Sequence, residues 1–304
     1  LGAVLRTDAI LATNTSYLNP ELIYEGLPHP ERFIGLHFFS PANIMKLLEI
    51  VPTSETAIDV LATGFELAKK AGKMPVRAGI CDGFIGNRIL KVTRAQAEKL
   101  LLAGCTPAQV DSALRGFGLA MGPFEVQDLA GLDIAAFQRQ AARARGETPF
   151  APVGDLVVAA GRLGQKTKGG WYDYTDAGRS NEIPAAVASA IEEARAASGV
   201  EARDWTADEI VEAIIYPMIN EAAKIVEEGI ALRDADIDLV KVHGYGFPRY
   251  RGGLVQYGRA VGFANVVASL EKLTAAKLAD APSAKLREWA NRTAEKRSET
   301  NHGT

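Results

Sequence analysis

The sequence predicts an α/β layer followed by an all-α region, and three observations support this. Residues 1–79 alternate short β-rich runs with helical runs, which is the pattern of an α/β layer. After Gly79 the hydrophobic period changes to 3.6. Two helical blocks then repeat each other, because residues 95–104 match residues 220–229 at a constant offset of 125. We therefore divide the chain into a partial α/β domain at 1–79, a first helical domain at 80–180, a linker at 181–204 and a second, homologous helical domain at 205–304.

The elements of the α/β layer follow from hydrophobic runs and their boundary residues. Apolar, β-branched runs predict strands, and amphipathic runs that start near a hydroxyl residue predict helices. Thr53 or Ser54 is the predicted N-cap of the longer helix. In chain order we expect a strand at 9–12, a helix at 20–26, strands at 33–39 and 45–51, a helix at 53–70 and a strand at 74–78, with a later surface helix at 184–197.

Composition excludes several classes of function. The chain has 304 residues with 47% hydrophobic residues, 23% charged residues and a net charge of −3. This near-neutral balance favours neither a nucleic-acid partner nor an anionic membrane, and no apolar run approaches the ~18 residues of a membrane span. The two cysteines, Cys81 and Cys105, are expected to be free thiols in a reducing compartment. The four histidines are too scattered for a metal site.

The most informative spacing is that of His37 and Glu49. The two predicted strands at 33–39 and 45–51 flank a short break around Asn43. If they pair antiparallel about this break, His37 faces Glu49 at cross-strand contact distance. A carboxylate against an imidazole fixes its tautomer and suits it to act as a general base. The alternative is a partly buried histidine that has only a structural acid partner.

Three further polar residues are candidate ligand contacts. Asn14 and Ser16 follow a predicted strand directly, where open α/β sheets place ligands, although Ser16 is equally typical of a helix N-cap. Asn87 lies in Gly83-Phe-Ile-Gly-Asn87, which opens a helix. Its amide offers both a donor and an acceptor, or it satisfies a neighbouring backbone group.

The second helical block keeps the scaffold residues of the first and loses the polar one. Gly116-Phe-Gly118 corresponds to Gly244-Tyr-Gly246, but Glu212 stands where the first block has Asn87. We interpret the second block as a structural partner without an active site of its own. The loop at 164–174 carries Lys166 and Lys168, which suit either a phosphorylated ligand or solvent. Its aromatic residues are expected to anchor it on the helical domain.

Several segments of the sequence stand out together, namely Asn14–Ser16, Gly35–Pro41, Glu49, Gly83–Arg88, Met121–Phe124 and Gly164–Tyr172. Taken together they resemble the 3-hydroxyacyl-CoA dehydrogenase family. They occur in the family's order and spacing across nearly the whole chain. The doubled helical block and residues 243–253 are most similar to the dehydrogenase portion of multifunctional β-oxidation enzymes of the peroxisomal type and their bacterial relatives.

The resemblance implies an NAD-dependent oxidation of (S)-3-hydroxyacyl-CoA to 3-ketoacyl-CoA in fatty-acid β-oxidation. It implies that His37 takes the hydroxyl proton and that Glu49 orients His37. Ser16 and Asn87 then contact the substrate, and Asn14 and Ser16 help to seat NAD. The implied fold is the C-terminal half of a Rossmann-type NAD domain, a parallel sheet with an antiparallel end, plus two tandem homologous helical domains.

The implied partners and location follow from the same resemblance. They are an acyl-CoA substrate, an upstream enoyl-CoA hydratase/isomerase domain, a possible thiolase, and an internal pseudo-dimer of the two helical domains. The location is cytoplasmic in a bacterium, to which an alanine- and arginine-rich composition points, or peroxisomal in a eukaryote.

One departure from the family concerns the cofactor. No Gly-x-Gly-x-x-Gly string occurs in the 304 residues, and a pyrophosphate site needs such a turn at a helix N-terminus. The expectation is that this chain alone binds NAD weakly or not at all and is inactive. One alternative is therefore a non-catalytic interaction or scaffold segment. Another is a short-chain 3-hydroxybutyryl-CoA dehydrogenase, against which the doubled helical block argues, because single-function members are expected to have one copy.

Overall fold

The computed structural model describes residues 4–180 and 182–301, with residues 293–301 described by their backbone alone. A four-stranded sheet occupies the first quarter of the chain, and almost everything after it is helical. The strands are β1 (Leu11–Thr13), β2 (Phe33–Phe38), β3 (Leu47–Pro52), β4 (Met74–Arg77), β5 (Tyr174–Thr175) and β6 (Gly178–Arg179). The helices are α1 (Pro20–Tyr24), α2 (Ile58–Lys70), α3 (Gly86–Leu102), α4 (Pro107–Phe117), α5 (Pro123–Ala130), α6 (Leu132–Ala144), α7 (Pro152–Ala159), α8 (Ala185–Ser198), α9 (Ala207–Glu227), α10 (Asp234–Gly244), α11 (Leu254–Val261), α12 (Phe263–Ala275) and α13 (Ala284–Asn301).

The main sheet has the order β1-β2-β3-β4 and confirms the predicted fold class. β1 and β2 are parallel, β2 and β3 are antiparallel, and β3 and β4 are parallel. The antiparallel junction therefore lies inside this sheet, between β2 and β3. β2 and β3 are buried over most of their length, which explains why both read as near-continuous apolar runs.

Helix α2 covers one face of the sheet. Its buried residues recur at helical spacing, at Val60, Gly64 and Ala68, and they contribute to the core formed by β2 and β3. A Cβ on Gly64 would lie 3.3 Å from Cδ1 of Ile34, so the small residue lets the helix approach the strands closely. This packing holds β2 and β3, and thus their polar side chains, in a fixed position.

The predicted start of α2 was wrong. The helix begins at Ile58 with Ala57 as N-cap, not at Thr53 or Ser54. Thr53 instead forms a turn, in which its N–H donates to Oγ1 of Thr56 at 2.8 Å. Threonine and serine form such local turns as readily as caps. The other predicted elements of the layer agree within a few residues.

The two helical blocks fold into the same succession of elements. Each starts with a long helix, α3 or α9, and continues with helices of 11, 8 and 13 residues. By contact the chain forms two compact units that are discontinuous in sequence. One comprises residues up to Leu90, Met218–Val267 and the residues from Pro282; the other comprises Lys91–Pro217 and Ala268–Ala281. The domain boundaries drawn along the sequence stay a prediction.

A capping aspartate occurs at the corresponding place in both helical blocks. In the first block Asp111 accepts hydrogen bonds from the N–H groups of Phe124 and Glu125 at the start of α5. In the second block Asp238 accepts from the N–H of Val255 at the start of α11. A carboxylate satisfies the free N–H groups of a helix N-terminus and complements its dipole. Burial raises the pKa of Asp111 to about 7 and that of Asp238 to about 6.

We expect Asp111→Ala to destabilise the protein more than Asp238→Ala. Both changes remove an N-terminal cap, at a cost of about 1–3 kcal/mol. Asp111 is fully buried and also accepts a 2.7 Å hydrogen bond from the hydroxyl of Tyr172. Removing the carboxylate therefore also removes the acceptor of this hydroxyl. Urea unfolding of both variants measures the difference. Equal losses would contradict the extra role of Asp111.

Candidate active site

His37 and Glu49 meet as the spacing predicts. They are directly opposite each other in the β2–β3 register, and Nδ1 of His37 lies 2.7 Å from Oε2 of Glu49. Both are buried, with exposures of 3% and 0%. The other carboxylate oxygen, Oε1, accepts the N–H of Gly86 at 3.0 Å. Because both oxygens are engaged by separate donors, the carboxylate is fixed in place.

The pairing defines the tautomer of His37. An ionised carboxylate only accepts hydrogen bonds, so Nδ1 of His37 carries the proton and Nε2 presents a lone pair. Ser16 Oγ lies 3.0 Å from this Nε2, and its hydroxyl therefore donates to it. Ser16 is not the N-cap of α1, which is Asn19. The arrangement is a hydroxyl, an imidazole and a carboxylate in series, with the imidazole ready to accept a proton at Nε2.

Asn14 joins the carboxyl ends of two parallel strands. It follows β1, and its Oδ1 accepts the N–H of Phe38 at the end of β2 at 2.8 Å. This bond holds the segment that carries Ser16 beside His37. The amide is exposed at the carboxyl edge of the sheet, where open α/β sheets bind ligands. Its role in cofactor binding stays a prediction.

Aromatic rings surround the imidazole. The ring of Phe39 lies 4.5 Å from that of His37 between centroids, and the ring of Phe84 lies 5.6 Å from it. Phe84 is buried and has a φ of +50°, which is uncommon for a bulky residue and costs of the order of 1 kcal/mol. The strained turn places this ring against His37 and helps to exclude water.

Asn87 contacts a residue that the sequence did not single out for the site. Oδ1 of Asn87 accepts a hydrogen bond from the hydroxyl of Tyr245 at 2.8 Å. Tyr245 belongs to the second helical block, in the Gly-aromatic-Gly string at the end of α10. The repeat drew attention to this string, but only as scaffold. Nothing in the sequence spacing indicated that this string contacts the first turn of α3.

Arg88, next to Asn87, fixes the start of α3. Its guanidinium contacts Glu221 at 2.6 Å and Glu228 at 2.5 Å, and these carboxylates raise the pKa of Arg88. Glu212, the counterpart of Asn87 in the second block, accepts a hydrogen bond from Ser269 instead. The second block therefore has no equivalent amide at this position.

Lys241 on α10 is a buried cation close to the site. It is 4% exposed, and its ammonium lies 4.5 Å from the centre of the Tyr245 ring. Burial lowers its pKa from 10.5 to about 7. The unfolded chain keeps the higher pKa, so it binds more protons than the folded chain between these values, and stability rises with pH across this interval.

We expect Lys241→Met to remove this pH dependence. The variant should be more stable than the wild type near pH 7, by up to about 4 kcal/mol, and the difference should shrink as the pH approaches 10. Urea unfolding at several pH values measures it. A difference that does not change with pH would show that desolvation of the ammonium is not its cause.

The loop at 164–174, which carries the candidate residues Lys166 and Lys168, lies in the compact unit that includes Lys91–Pro217. Trp171 is buried. Its backbone N–H and the hydroxyl of Tyr174 both donate to the carboxylate of Asp128 on α5, so the aromatic residues anchor their loop as predicted. In the same loop Lys166 pairs with Asp133 at 2.5 Å on the surface. A phosphate role for Lys166 and Lys168 stays a prediction.

Several other features bear on the chemistry. Cys81 and Cys105 are free thiols, as predicted. Within the described residues, no group of three or more histidine, cysteine, aspartate or glutamate side chains could hold a metal ion. Among the helices described, none has the length and apolar character to cross a bilayer.

The chain matches two family models. Residues 1–81 match the 3-hydroxyacyl-CoA dehydrogenase NAD binding domain, and residues 83–174 match the C-terminal domain of the same family. The human peroxisomal bifunctional enzyme is 41% identical over 286 residues, which are 90% of this chain and 40% of that protein. The chain thus spans about two fifths of the length of the curated relatives that it matches.

Two solved structures are similar over almost the whole chain. A 3-hydroxybutyryl-CoA dehydrogenase from Escherichia coli is 25% identical with a TM-score of 0.80, covering 97% of this chain and 78% of that one. The dehydrogenase part of multifunctional enzyme 1 from C. elegans is 28% identical with a TM-score of 0.68, covering 94% and 66%. The first likeness bears on the alternative of a 3-hydroxybutyryl-CoA dehydrogenase. A doubled helical block does not exclude a 3-hydroxybutyryl-CoA dehydrogenase, because a protein so named has the same architecture.

Proposed function

Because this chain belongs to the 3-hydroxyacyl-CoA dehydrogenase family, we propose that it carries the catalytic residues for NAD-dependent oxidation of (S)-3-hydroxyacyl-CoA to 3-ketoacyl-CoA. The observation that carries the proposal is the series Ser16–His37–Glu49 at the carboxyl edge of the sheet. His37 and Glu49 are buried in it, and Ser16 is half-buried. Oxidation of a secondary alcohol requires that the hydroxyl proton and a hydride leave together, and this series supplies the base for the proton.

His37 is the general base. Its Nε2 takes the proton from the C3 hydroxyl of the substrate, which replaces or joins the Ser16 hydroxyl as hydrogen-bond partner. The imidazolium that forms is stabilised by Glu49 at 2.7 Å, in a buried site where the ion pair is weakly screened. A positioned base of this kind contributes ~10²–10⁴-fold in rate.

Ser16 and Asn87 hold the reacting oxygen. Ser16 Oγ lies 3.0 Å from Nε2 of His37, so a single substrate oxygen can form hydrogen bonds with both. Asn87 offers its amide NH₂ as a second donor, because its Oδ1 already accepts from Tyr245. Donors aimed at an oxygen that gains negative charge favour the transition state over the ground state.

The nicotinamide end of the cofactor fits the carboxyl edge of β1 and β2. Bound NAD supplies the hydride acceptor. Ser16 and Asn14 are the residues that would hold its nicotinamide end, and Asn14 keeps this segment in place through Phe38. The half-buried ring of Phe39 and the buried ring of Phe84 lie beside His37 and provide an apolar wall. The 304 residues contain no Gly-x-Gly-x-x-Gly turn for the pyrophosphate.

The wider role that fits this chemistry is fatty-acid β-oxidation in a multifunctional enzyme. An enoyl-CoA hydratase/isomerase domain supplies the 3-hydroxyacyl-CoA, and a thiolase consumes the 3-ketoacyl-CoA. The second helical block then acts as the internal partner of the first, in a pseudo-dimer. The expected location is the cytoplasm of a bacterium, or the peroxisome if the source is eukaryotic. The name of the human relative, a peroxisomal bifunctional enzyme, supports this role.

The test is NADH formation from (S)-3-hydroxyacyl-CoA by the complete gene product. The expected result is turnover of the (S) substrate and none of the (R) substrate. No NADH from either would overturn the proposal and favour a non-catalytic interaction segment. NAD binding by the 304-residue chain alone, followed by calorimetry, tests the separate expectation that this chain binds it weakly.

A second candidate is a short-chain 3-hydroxybutyryl-CoA dehydrogenase. The similarity to the E. coli protein of that name over 97% of this chain favours it. Turnover of short-chain and long-chain (S)-3-hydroxyacyl-CoA by the complete gene product distinguishes the two. A preference for the four-carbon substrate supports the second candidate, and a preference for long chains supports the first.

A further inference from the structure

We propose that Tyr245, from the second helical block, is a positioning residue that fixes the amide of Asn87 for catalysis. This deepens the proposed function and rests on it. The hydroxyl of Tyr245 donates to Oδ1 of Asn87 at 2.8 Å. An asparagine amide can rotate by half a turn and exchange its donor and acceptor ends. The tyrosine hydroxyl holds Oδ1 on its own side, so that the NH₂ end faces the reacting oxygen.

The backbone is shaped to admit this ring. A Cβ on Gly86 would lie 2.3 Å from Cε2 of Tyr245 and 2.5 Å from its hydroxyl oxygen, and no side chain but that of glycine leaves the space. The N–H of the same Gly86 donates to Glu49 at 3.0 Å. One residue therefore both supports the carboxylate behind His37 and makes room for the ring beside Asn87.

The ring is held on two further sides. Phe39 meets it edge-on at 5.5 Å between centroids, with an interplanar angle of 75°, and Phe39 itself packs on His37. The ammonium of Lys241 lies 4.5 Å from the ring centre. With its plane fixed by these contacts, the hydroxyl of Tyr245 has a defined direction. All these residues belong to the first compact unit.

The repeat provides the comparison that separates this role from packing. The counterpart of Tyr245 in the first block is Phe117, a buried ring without a hydroxyl. The aromatic ring alone thus satisfies the scaffold in one copy. The second copy adds the single atom that reaches Asn87. This assigns the second block a direct part in the site, beyond the purely structural role that the sequence suggested.

The effect is expected on turnover more than on substrate binding. The oxygen at C3 gains negative charge only as its proton leaves, so a correctly aimed NH₂ donor acts mainly in the transition state. Tyr245→Phe, which copies the first block, should lower kcat by about 10-fold, the loss associated with one neutral hydrogen bond. KM should change by less than about 3-fold.

A double-mutant cycle in the complete gene product tests the inference. Tyr245→Phe, Asn87→Ala and the double variant are compared, with Tyr250→Phe as the control, because it removes a hydroxyl from a nearby exposed tyrosine of the same block. If Tyr245 acts through Asn87, its loss has no further effect on kcat when Asn87 is already alanine. The same 10-fold loss in both backgrounds, or no loss in the wild-type background, would overturn the inference while leaving the proposed function intact.

A second measurement is independent of activity. The side-chain amide of Asn87 is observed by NMR in protein labelled with ¹⁵N-asparagine and is assigned from the signal that Asn87→Ala removes. Tyr245→Phe should shift this signal, and Tyr250→Phe should not. An Asn87 signal unchanged in Tyr245→Phe would overturn the inference even if the protein oxidised no hydroxyacyl-CoA, an outcome that would separately reject the proposed function.

Discussion

His37→Gln in the complete gene product is expected to lower kcat by about 10³-fold while leaving the affinity for 3-ketoacyl-CoA nearly unchanged. Glutamine is of similar size and can still bond to Glu49, but its amide nitrogen has no basic lone pair to accept the substrate proton. The measurement is steady-state NADH formation together with calorimetric binding of acetoacetyl-CoA.

His29→Gln is the matched control for this variant. His29 lies beside Glu31, with Nδ1 3.3 Å from Oε1, but both side chains are nearly half exposed. It is thus a histidine with an acid partner outside the buried site, and its replacement should leave kcat unchanged. A His37→Gln variant with more than about a tenth of wild-type kcat would contradict the assignment of His37 as the base.

Glu49→Gln is expected to lower kcat by ~10²–10⁴-fold because it reverses the tautomer of His37. The N–H of Gly86 donates to the Oε1 position of residue 49, so it retains the glutamine oxygen there. The glutamine NH₂ then faces Nδ1 of His37 and donates to it. Nδ1 becomes the acceptor, the proton moves to Nε2, and the base can no longer take a proton from the substrate.

Glu31→Gln serves as the control, because it makes the same change at the exposed His29–Glu31 pair. Its kcat should equal that of the wild type. Steady-state kinetics of both variants gives the comparison. If Glu49→Gln retained wild-type kcat, the carboxylate would be a structural partner of His37 and not part of its catalytic function.

The central pair of the site was predictable because strand geometry is simple. Side chains alternate with a period of two, and a short break between two apolar runs fixes their register. The position of His37 opposite Glu49 therefore follows from their positions in the sequence alone. The repeat was predictable because residues 95–104 match residues 220–229 at a constant offset. The structure adds that Asp111 and Asp238 cap the corresponding helix in each block.

Long-range contacts were not predictable in this way. Tyr245 lies 158 residues from Asn87 along the chain, and no local pattern links them. The space that Gly86 leaves for the ring becomes visible only in three dimensions. The prediction of where α2 starts failed for a different reason. Thr53 uses its polar groups in a turn and not as a cap, and sequence preference does not distinguish these two roles.

The ¹⁵N spectrum of the His37 imidazole tests the central claim most directly, because it reads which ring nitrogen carries the proton. We expect Nδ1 to be protonated in the wild type, with Nε2 as the acceptor, and the reverse in Glu49→Gln. The same tautomer in both proteins, or a wild-type His37 protonated only at Nε2, would contradict the proposal that Glu49 orients His37 as the base.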